Sequence, residues 1–210
     1  MACVQKFTSA AVVNQLRHNE RTIAEPANKD IDHSRSNQNY SLCPDRGTTA
    51  YDYFLKRKNE LYCYGRSDLK VMAGWVITAP TDLPADQYDA FFKSCHTFLA
   101  HRYGEENCIQ SIVHYDESGQ PHLHYCFIPV VPDKKHGGEK ICANDVLTPK
   151  ELRNFHPDLV RHLKADSITA SILTGITQQQ GGNKTVKQLK QERWDHQQKH
   201  QHTVEMGRWN

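Results

Sequence analysis

Cys108-Ile-Gln-Ser-Ile-Val-His114, Tyr115-Asp-Glu-Ser-Gly-Gln-Pro121 and His122-Leu-His-Tyr-Cys-Phe-Ile-Pro-Val130 follow one another in the stretch that decides the fold. The outer runs are apolar and β-branched, and the residues between them favour a turn, so an antiparallel hairpin is predicted with its turn at Asp116 to Pro121. Side chains alternate across a strand, so His122 and His124 leave it on the same side, and the hairpin brings His114 beside them. Both alternating sets of the 122–130 run are largely apolar, which places that strand in the middle of a sheet.

With 13 histidines in 210 residues, a His-x-His pair on its own carries little weight. Here the pair opens an apolar strand, a third histidine closes the neighbouring one, and acidic residues fill the turn. Neutral imidazole is the commonest protein metal ligand. Three protein ligands leave positions open for water or substrate, whereas structural sites normally close with four. His114, His122 and His124 are therefore expected to hold one divalent metal.

Working outward, Met1 to Phe7 is a candidate strand and Ala10 to Arg21 a helix. Glu25 to Pro44 is polar and predicted to be an ordered loop, followed by a helix from about Thr49 to Tyr64 and a strand from Val71 to Thr78. Tyr88, Phe91, Phe92, Cys95, Phe98 and Leu99 form one apolar helical stripe, with Gly104 where a C-cap is wanted. After the hairpin, a strand is expected over about 140–146. Thr148-Pro-Lys-Glu151 is a capping-box pattern opening a helix that carries Leu152, Phe155, Leu159 and Leu163. The order of elements predicts an α+β domain: a central, largely antiparallel sheet with strands at 71–78, 108–114, 122–130 and about 140–146, flanked by helices. That domain is expected to span 1–177, followed by a linker at 178–183 and a charged helical tail at 184–210.

Hydrophobic residues make up 38% of the chain, and no run of about 18 apolar residues exists to cross a membrane. The N-terminus lacks a signal-peptide apolar core. Seven cysteines, at 3, 43, 63, 95, 108, 126 and 142, form an odd set with no C-x-x-C, as expected for small core hydrophobes in a reducing cytosol. A net charge of +2 neither demands nor excludes nucleic acid, so any case for it rests on local patches.

Four ordered segments resemble the plasmid mobilisation (Mob/Pre) relaxases, the MobV class of the HUH endonuclease superfamily. They are Arg17-His-Asn-Glu-Arg21, Asn28-Lys-Asp-Ile-Asp-His-Ser-Arg-Ser36, Asn39-Tyr-Ser-Leu42, and His114-Tyr-Asp-Glu117 with Pro121-His-Leu-His124. The resemblance covers residues 1 to about 165. Ser118-Gly-Gln120 carries one residue more than the family's usual spacing, which a hairpin turn containing Gly119 absorbs. Such relaxases usually carry a longer C-terminal region, so a catalytic segment or a short member is expected.

The resemblance implies an enzyme that nicks one DNA strand at an origin of transfer, stays joined to the 5′ end and later rejoins it. It implies Mn²⁺ or Mg²⁺ as cofactor, single-stranded or hairpin origin DNA as partner, and the bacterial cytoplasm as location. His18 is then the nucleophile, Glu117 or Asp116 holds its tautomer and receives a proton, and Arg21 holds a phosphate. Arg17, Arg21, Lys29 and Arg35, with Lys6 nearby, would meet DNA phosphates, and Tyr40 an unpaired base. Tyr40, Tyr51 and Tyr53 are the rival nucleophiles. Two other readings are another HUH nickase, such as a rolling-circle replication initiator or transposase, and a noncatalytic metal-stabilised DNA-binding module with a fourth protein ligand.

Overall fold

In the computed structural model, which describes residues 2–26, 28–172 and Gln191, the predicted hairpin sits at the centre of the main sheet. Strand β4 (Cys108–His114) pairs antiparallel with β5 (His122–Phe127), with His114 opposite His122 and Ile112 opposite His124. β3 (Lys70–Thr78) flanks β5 on its other edge, β1 (Ala2–Thr8) pairs with β3, and β2 (Tyr40–Ser41) pairs with β4. The order β1-β3-β5-β4-β2 makes β5 the middle strand, and every pairing is antiparallel. This is the expected α+β architecture.

Helices cover both faces. On one side lie α1 (Ser9–Asn19) and α2 (Ala50–Asn59), packing Val12, Leu16 and Phe54 against Met72, Ile109 and Cys126. On the other lie α3 (Tyr88–Tyr103) and α5 (Pro149–Ala165). There Phe91, Phe92, Phe155 and Leu159 pack against Trp75, Leu123, Tyr125 and Phe127. β5 thus sends Leu123, Tyr125 and Phe127 to the α3 side, and His122, His124 and Cys126 to the α1 side.

Several local signals take the predicted form. The Thr148 side chain accepts from the Glu151 amide, and Pro149 fills the first helical position, where it forfeits no hydrogen bond. Gly104 ends α3 at φ 89°, and Gly119 stands in the hairpin turn at φ 112°, both strained for any residue with a Cβ. α3 and α5 are joined at their edge by Arg102, which grips Glu151 with two hydrogen bonds of 2.6 and 2.9 Å and reaches Asp158 at 2.9 Å.

Other expectations are corrected. Residues 140–146 are not a strand of the central sheet: β7 (Glu139–Ile141) pairs only with β6 (Val130–Pro132) in a separate ribbon, and Ala143–Val146 is the short helix α4. β5 already has neighbours on both edges, and Pro129, with no amide hydrogen, lies where the chain leaves the sheet. That exit splits the expected 122–130 strand. The 25–44 loop holds a 3-10 turn at His33–Gln38 and the edge strand β2, and α2 ends at Asn59 because Tyr62 turns aside to pair with the 139–141 backbone. The helix expected to reach Arg21 stops at Asn19. The described residues up to Ile172 belong to one compact unit. The expected linker at 178–183 and tail at 184–210, apart from Gln191, lie outside the described residues.

Phe155 is fully buried and stacks on Trp75 with ring centroids 3.5 Å apart. Phe155→Ala is expected to lower stability by about 3–5 kcal/mol in urea denaturation. A loss below about 1 kcal/mol would mean that α5 does not seal this face of the sheet.

Candidate active site

The histidine face of the hairpin lies under the C-terminal end of α1. Ring centroids of His114, His122 and His124 are 5.5 Å (114–122), 4.6 Å (114–124) and 4.9 Å (122–124) apart. Glu117 joins them, and one ligand atom from each of the four lies within 4.8 Å of the others. Donors about 2.0–2.2 Å from one ion stand about 3–4.4 Å apart, so a small contraction would suit a divalent cation. The decisive atom is His124 Nε2. It is buried and has no hydrogen-bond partner among the described residues, a desolvation penalty that a coordinated cation would remove. The residues therefore fit a metal.

The ring of His114 is oriented from behind. Its Nε2 lies 2.8 Å from the backbone carbonyl of Asn19, and a carbonyl only accepts, so Nε2 carries the proton and the Nδ1 lone pair faces the cluster, where Arg21 Nη2 meets it at 2.9 Å. Burial, reinforced by Arg21, pushes His114 down to about 4, and burial with the neighbouring histidines holds His124 well below the ordinary histidine value. Both rings are neutral at pH 7, as ligation requires.

Arg21 is the hub. It follows α1 with φ 58°, and this turn folds its side chain back under the helix, where Nη1 donates to the His18 carbonyl at 3.0 Å. Nε and Nη2 grip Asp116 at 2.8 and 2.7 Å, and Nη2 also reaches Glu117 Oε1 at 2.7 Å and His114 Nδ1 at 2.9 Å. Asp116 is fully buried and also accepts from Ser36 Oγ (2.7 Å) and Asn39 Nδ2 (2.8 Å). Burial pushes its carboxyl upward, but hydrogen bonds from Arg21, Ser36 and Asn39 outweigh this and hold it well below the usual range. Glu117 Oε2 accepts from Asn28 Nδ2 at 3.0 Å.

His18, in the last turn of α1, presents its ring edge-on to His124, with centroids 6.4 Å apart. Burial, then the Arg21 charge, lowers its pKa, which leaves a neutral imidazole beside the cluster. Arg17 and Lys29 are exposed. Arg35 turns toward Asp32 (3.1 Å) and the Glu117 carbonyl (3.3 Å), and Lys6 donates to Asn144 Oδ1 at 2.9 Å.

The structure does not bring Tyr40 to the histidines. It sits opposite Val113, so it faces the α3 side, and its hydroxyl donates to Asp89 at 2.8 Å. Burial and Asp89 push that hydroxyl far above the ordinary tyrosine value. Tyr53 donates to the Glu106 carbonyl at 2.8 Å, and Tyr51 stacks against Phe54.

Sequence reasoning missed that Glu117 stands among the histidines as a fourth donor. It also missed the supports Asn19, Asn28, Ser36 and Asn39. Three of those four lie inside the segments 28–36 and 39–42, whose polar residues were the available signal.

Comparison with known proteins agrees with this geometry. The sequence profile of the family described as plasmid recombination enzyme (Mob_Pre) matches residues 1–191. The chain belongs to that family. It is 30% identical over 161 residues to a plasmid recombination enzyme of Bacillus thuringiensis, covering 74% of this chain and 35% of that protein. It is 30% identical over 171 residues to one of Streptococcus agalactiae, covering 78% and 33%. The chain thus spans about a third of the length of these curated relatives. Among solved structures it is similar to the MobM relaxase domain (MOBV; Mob_Pre) bound to plasmid pMV158 oriT DNA, a Mn-bound crystal structure. The TM-score is 0.73 at 27% identity, over 91% of this chain and 97% of that one.

For this Mob_Pre chain the buried histidines dictate a pH response. An unfolded histidine takes up its proton near pH 6.5, whereas folded His114 does so at about 4. Between these values the unfolded state binds more protons, so stability rises with pH across the window and is lost on acidification through it. In chelator-treated protein the His114 contribution is expected to be about 3 kcal/mol, read as a falling urea midpoint between pH 7 and pH 4. The fall should be smaller in His114→Asn; a midpoint that is flat or rises on acidification would contradict a neutral, buried His114.

Proposed function

We propose that this chain is the catalytic part of a relaxase: a metal-dependent, site- and strand-specific DNA nickase and strand transferase acting at a plasmid or mobile-element origin of transfer. It would keep the 5′ end as a covalent adduct on His18, rejoin the strand afterwards and so initiate conjugative mobilisation. The observation that carries the reading is the neutral His18 ring edge-on to the histidine cluster, with a charged guanidinium fixed beside it. Kinship supports it, since the similar MobM relaxase domain is Mn-bound and holds oriT DNA. The same kinship favours Mn²⁺, with Mg²⁺ as the other candidate, held by His114, His122 and His124 with Glu117 in reach. When bound, the cation supplies Lewis-acid polarisation of the scissile phosphate.

The chain's own residues have distinct roles in this scheme. A ring nitrogen of His18 attacks phosphorus, a P–N bond forms, and the bond to the 3′ oxygen breaks; the ring proton passes to Glu117, which delivers it to the departing 3′ oxygen. Asp116 is the anchor of Arg21 rather than the base, because it is fully buried and accepts four hydrogen bonds from Arg21, Ser36 and Asn39, whereas Glu117 is partly exposed and each of its oxygens accepts one. Arg21, itself buried and held by Asp116, Glu117 and the His18 carbonyl, acts by fixing both carboxylates and the His114 ring beside the phosphate site rather than by gripping a phosphate. Exposed Arg17 and Lys29 would contact the DNA backbone, with Arg35 secondary because Asp32 already holds it. We assign the domain to residues 1–177 and its action to the bacterial cytoplasm. Among the described residues no helix is long and apolar enough to cross a membrane.

One observation favours a second reading. A fourth donor, Glu117, is what a metal-stabilised DNA-binding module without activity would use. Supercoiled plasmid carrying the candidate origin separates the two. With Mn²⁺, wild type should give relaxed product, while the double variant His122→Ala/His124→Ala should lose at least about 100-fold in nicking and keep much of its salt-sensitive DNA affinity. Tight metal binding by wild type without any nicking would support the module, and nicking at wild-type rate by the double variant would remove the metal from the reaction.

The nucleophile has its own test. A histidine adduct is a phosphoramidate that mild acid cleaves, whereas a tyrosine adduct is a phosphodiester that survives. The protein–DNA adduct should be acid-labile, absent from His18→Ala and retained in Tyr40→Phe. An acid-stable adduct that persists in His18→Ala would exclude the histidine.

A further inference from the structure

Two cysteines that the sequence presents as small core hydrophobes stand together. Just beyond β2, the Cys43 sulfur lies 3.8 Å from the sulfur of Cys108, which opens β4. Cys108 is buried, while Cys43 is half-buried and lines an open surface pocket of about 360 Å³ with Glu20, Arg46, Tyr53 and Gln110. Arg46 is seated over the Tyr53 ring at 3.8 Å. From there its Nη1 donates to Cys43 Sγ at 3.4 Å and to the Cys108 carbonyl at 2.6 Å, so a positive charge faces one sulfur and fixes the backbone of the other.

We propose that Cys43 and Cys108 are a peroxide-sensitive dithiol, with Cys43 the reacting sulfur and Cys108 the resolving one, that closes into a reversible disulfide fastening β2 to β4. Three features separate Cys43 from an inert core thiol. It is reached from solvent through the pocket, a guanidinium stabilises its thiolate, and a second sulfur is already in van der Waals contact. The Cys108 thiol and Arg46 also draw the Cys43 pKa below the usual thiol value, while Cys108, acting as the hydrogen-bond partner in a buried place, is pushed well above it. The two sulfurs are thereby divided into a nucleophile and a protonated neighbour.

The chemistry balances with hydrogen peroxide as oxidant. The Cys43 thiolate attacks one peroxide oxygen, the O–O bond breaks, and the departing hydroxide takes a proton to leave as water, giving a sulfenic acid. The Cys108 sulfur then attacks the Cys43 sulfur, its thiol proton goes to the leaving hydroxide, and a second water departs. Two thiols and one peroxide become one disulfide and two waters. Closing from contact to a bond of about 2.05 Å requires Cys43 to turn toward Cys108, which a half-buried residue beside a two-residue edge strand can do. A thiol reductant such as glutathione reverses the reaction. The bond would tether the 28–39 segment, which carries Asn28, Ser36 and Asn39 to the carboxylates, at its C-terminal side.

The test treats the 210-residue chain with a small excess of hydrogen peroxide, then maps peptides without reduction and measures melting. The expected result is a Cys43–Cys108 cross-linked peptide, a melting temperature raised by several degrees and reversal of both by dithiothreitol. Cys43→Ser should leave Cys108 reduced, and Cys108→Ser should leave a trappable sulfenic acid on Cys43. The proposal is overturned if Cys43 stays fully alkylatable after peroxide. It is equally overturned if Cys43 oxidises to sulfinic acid without a cross-link, or pairs with Cys63 or Cys142 instead. The result does not depend on nicking, so its failure would leave the relaxase reading standing.

Discussion

A guanidinium buried between two carboxylates is the constraint that the site depends on. Arg21 is 7% exposed and Asp116 fully buried, so either charge left without the other would cost several kcal/mol. That penalty explains much of the surrounding chain. It requires the left-handed turn at Arg21 that swings the side chain back from the end of α1. It requires Ser36 and Asn39 to saturate the remaining lone pairs of Asp116, which wraps the 28–39 segment against the hairpin turn. It also lets Glu117, sharing the same guanidinium nitrogen, stand beside the histidines without unscreened charge.

The sheet solves a second problem, which is to keep an apolar core and a polar centre on one strand. β5 does this by alternation, giving three aromatic or aliphatic side chains to the α3 side and two histidines to the α1 side. The burial that makes the histidines neutral therefore comes from the same packing that stabilises the fold. The helix above contributes through the carbonyls of its last turn, which have no partner within the helix, and the buried one of Asn19 fixes the His114 ring.

How much of this was legible depended on how local each signal was. The bounds of β4, the start of β5, the cap at Thr148 and the end of α3 at Gly104 lie in short patterns of side-chain period or capping chemistry, and the sequence carries them openly. The 139–146 region misled because Lys140 to Val146 has strand-like residues, and only knowledge that β5 has both edges filled excludes them. Asp116 was expected to share with Glu117 the part of proton acceptor, and its burial as the anchor of Arg21 was hidden because its partners Arg21, Ser36 and Asn39 lie 77 to 95 positions away. Glu117 was legible, through the family resemblance, as a proton acceptor for the reaction, but its place among the ligand atoms depends on how the turn folds over the histidines. The histidine triad was readable because alternation and pairing place all three members.

The alternation has a consequence for which length changes this chain can carry. Membership of the cluster is a question of parity. Residues 118–120 form the outer part of the turn, Gly119 is unobstructed there, and one residue more or fewer leaves His114 opposite His122. A single residue gained or lost between His122 and Phe127 would instead exchange the two faces of everything beyond it, turning aromatic side chains toward α1 and polar ones into the core. Gaps among relatives should therefore gather in the turn and be purged from β5, even where the residues of β5 themselves vary in size.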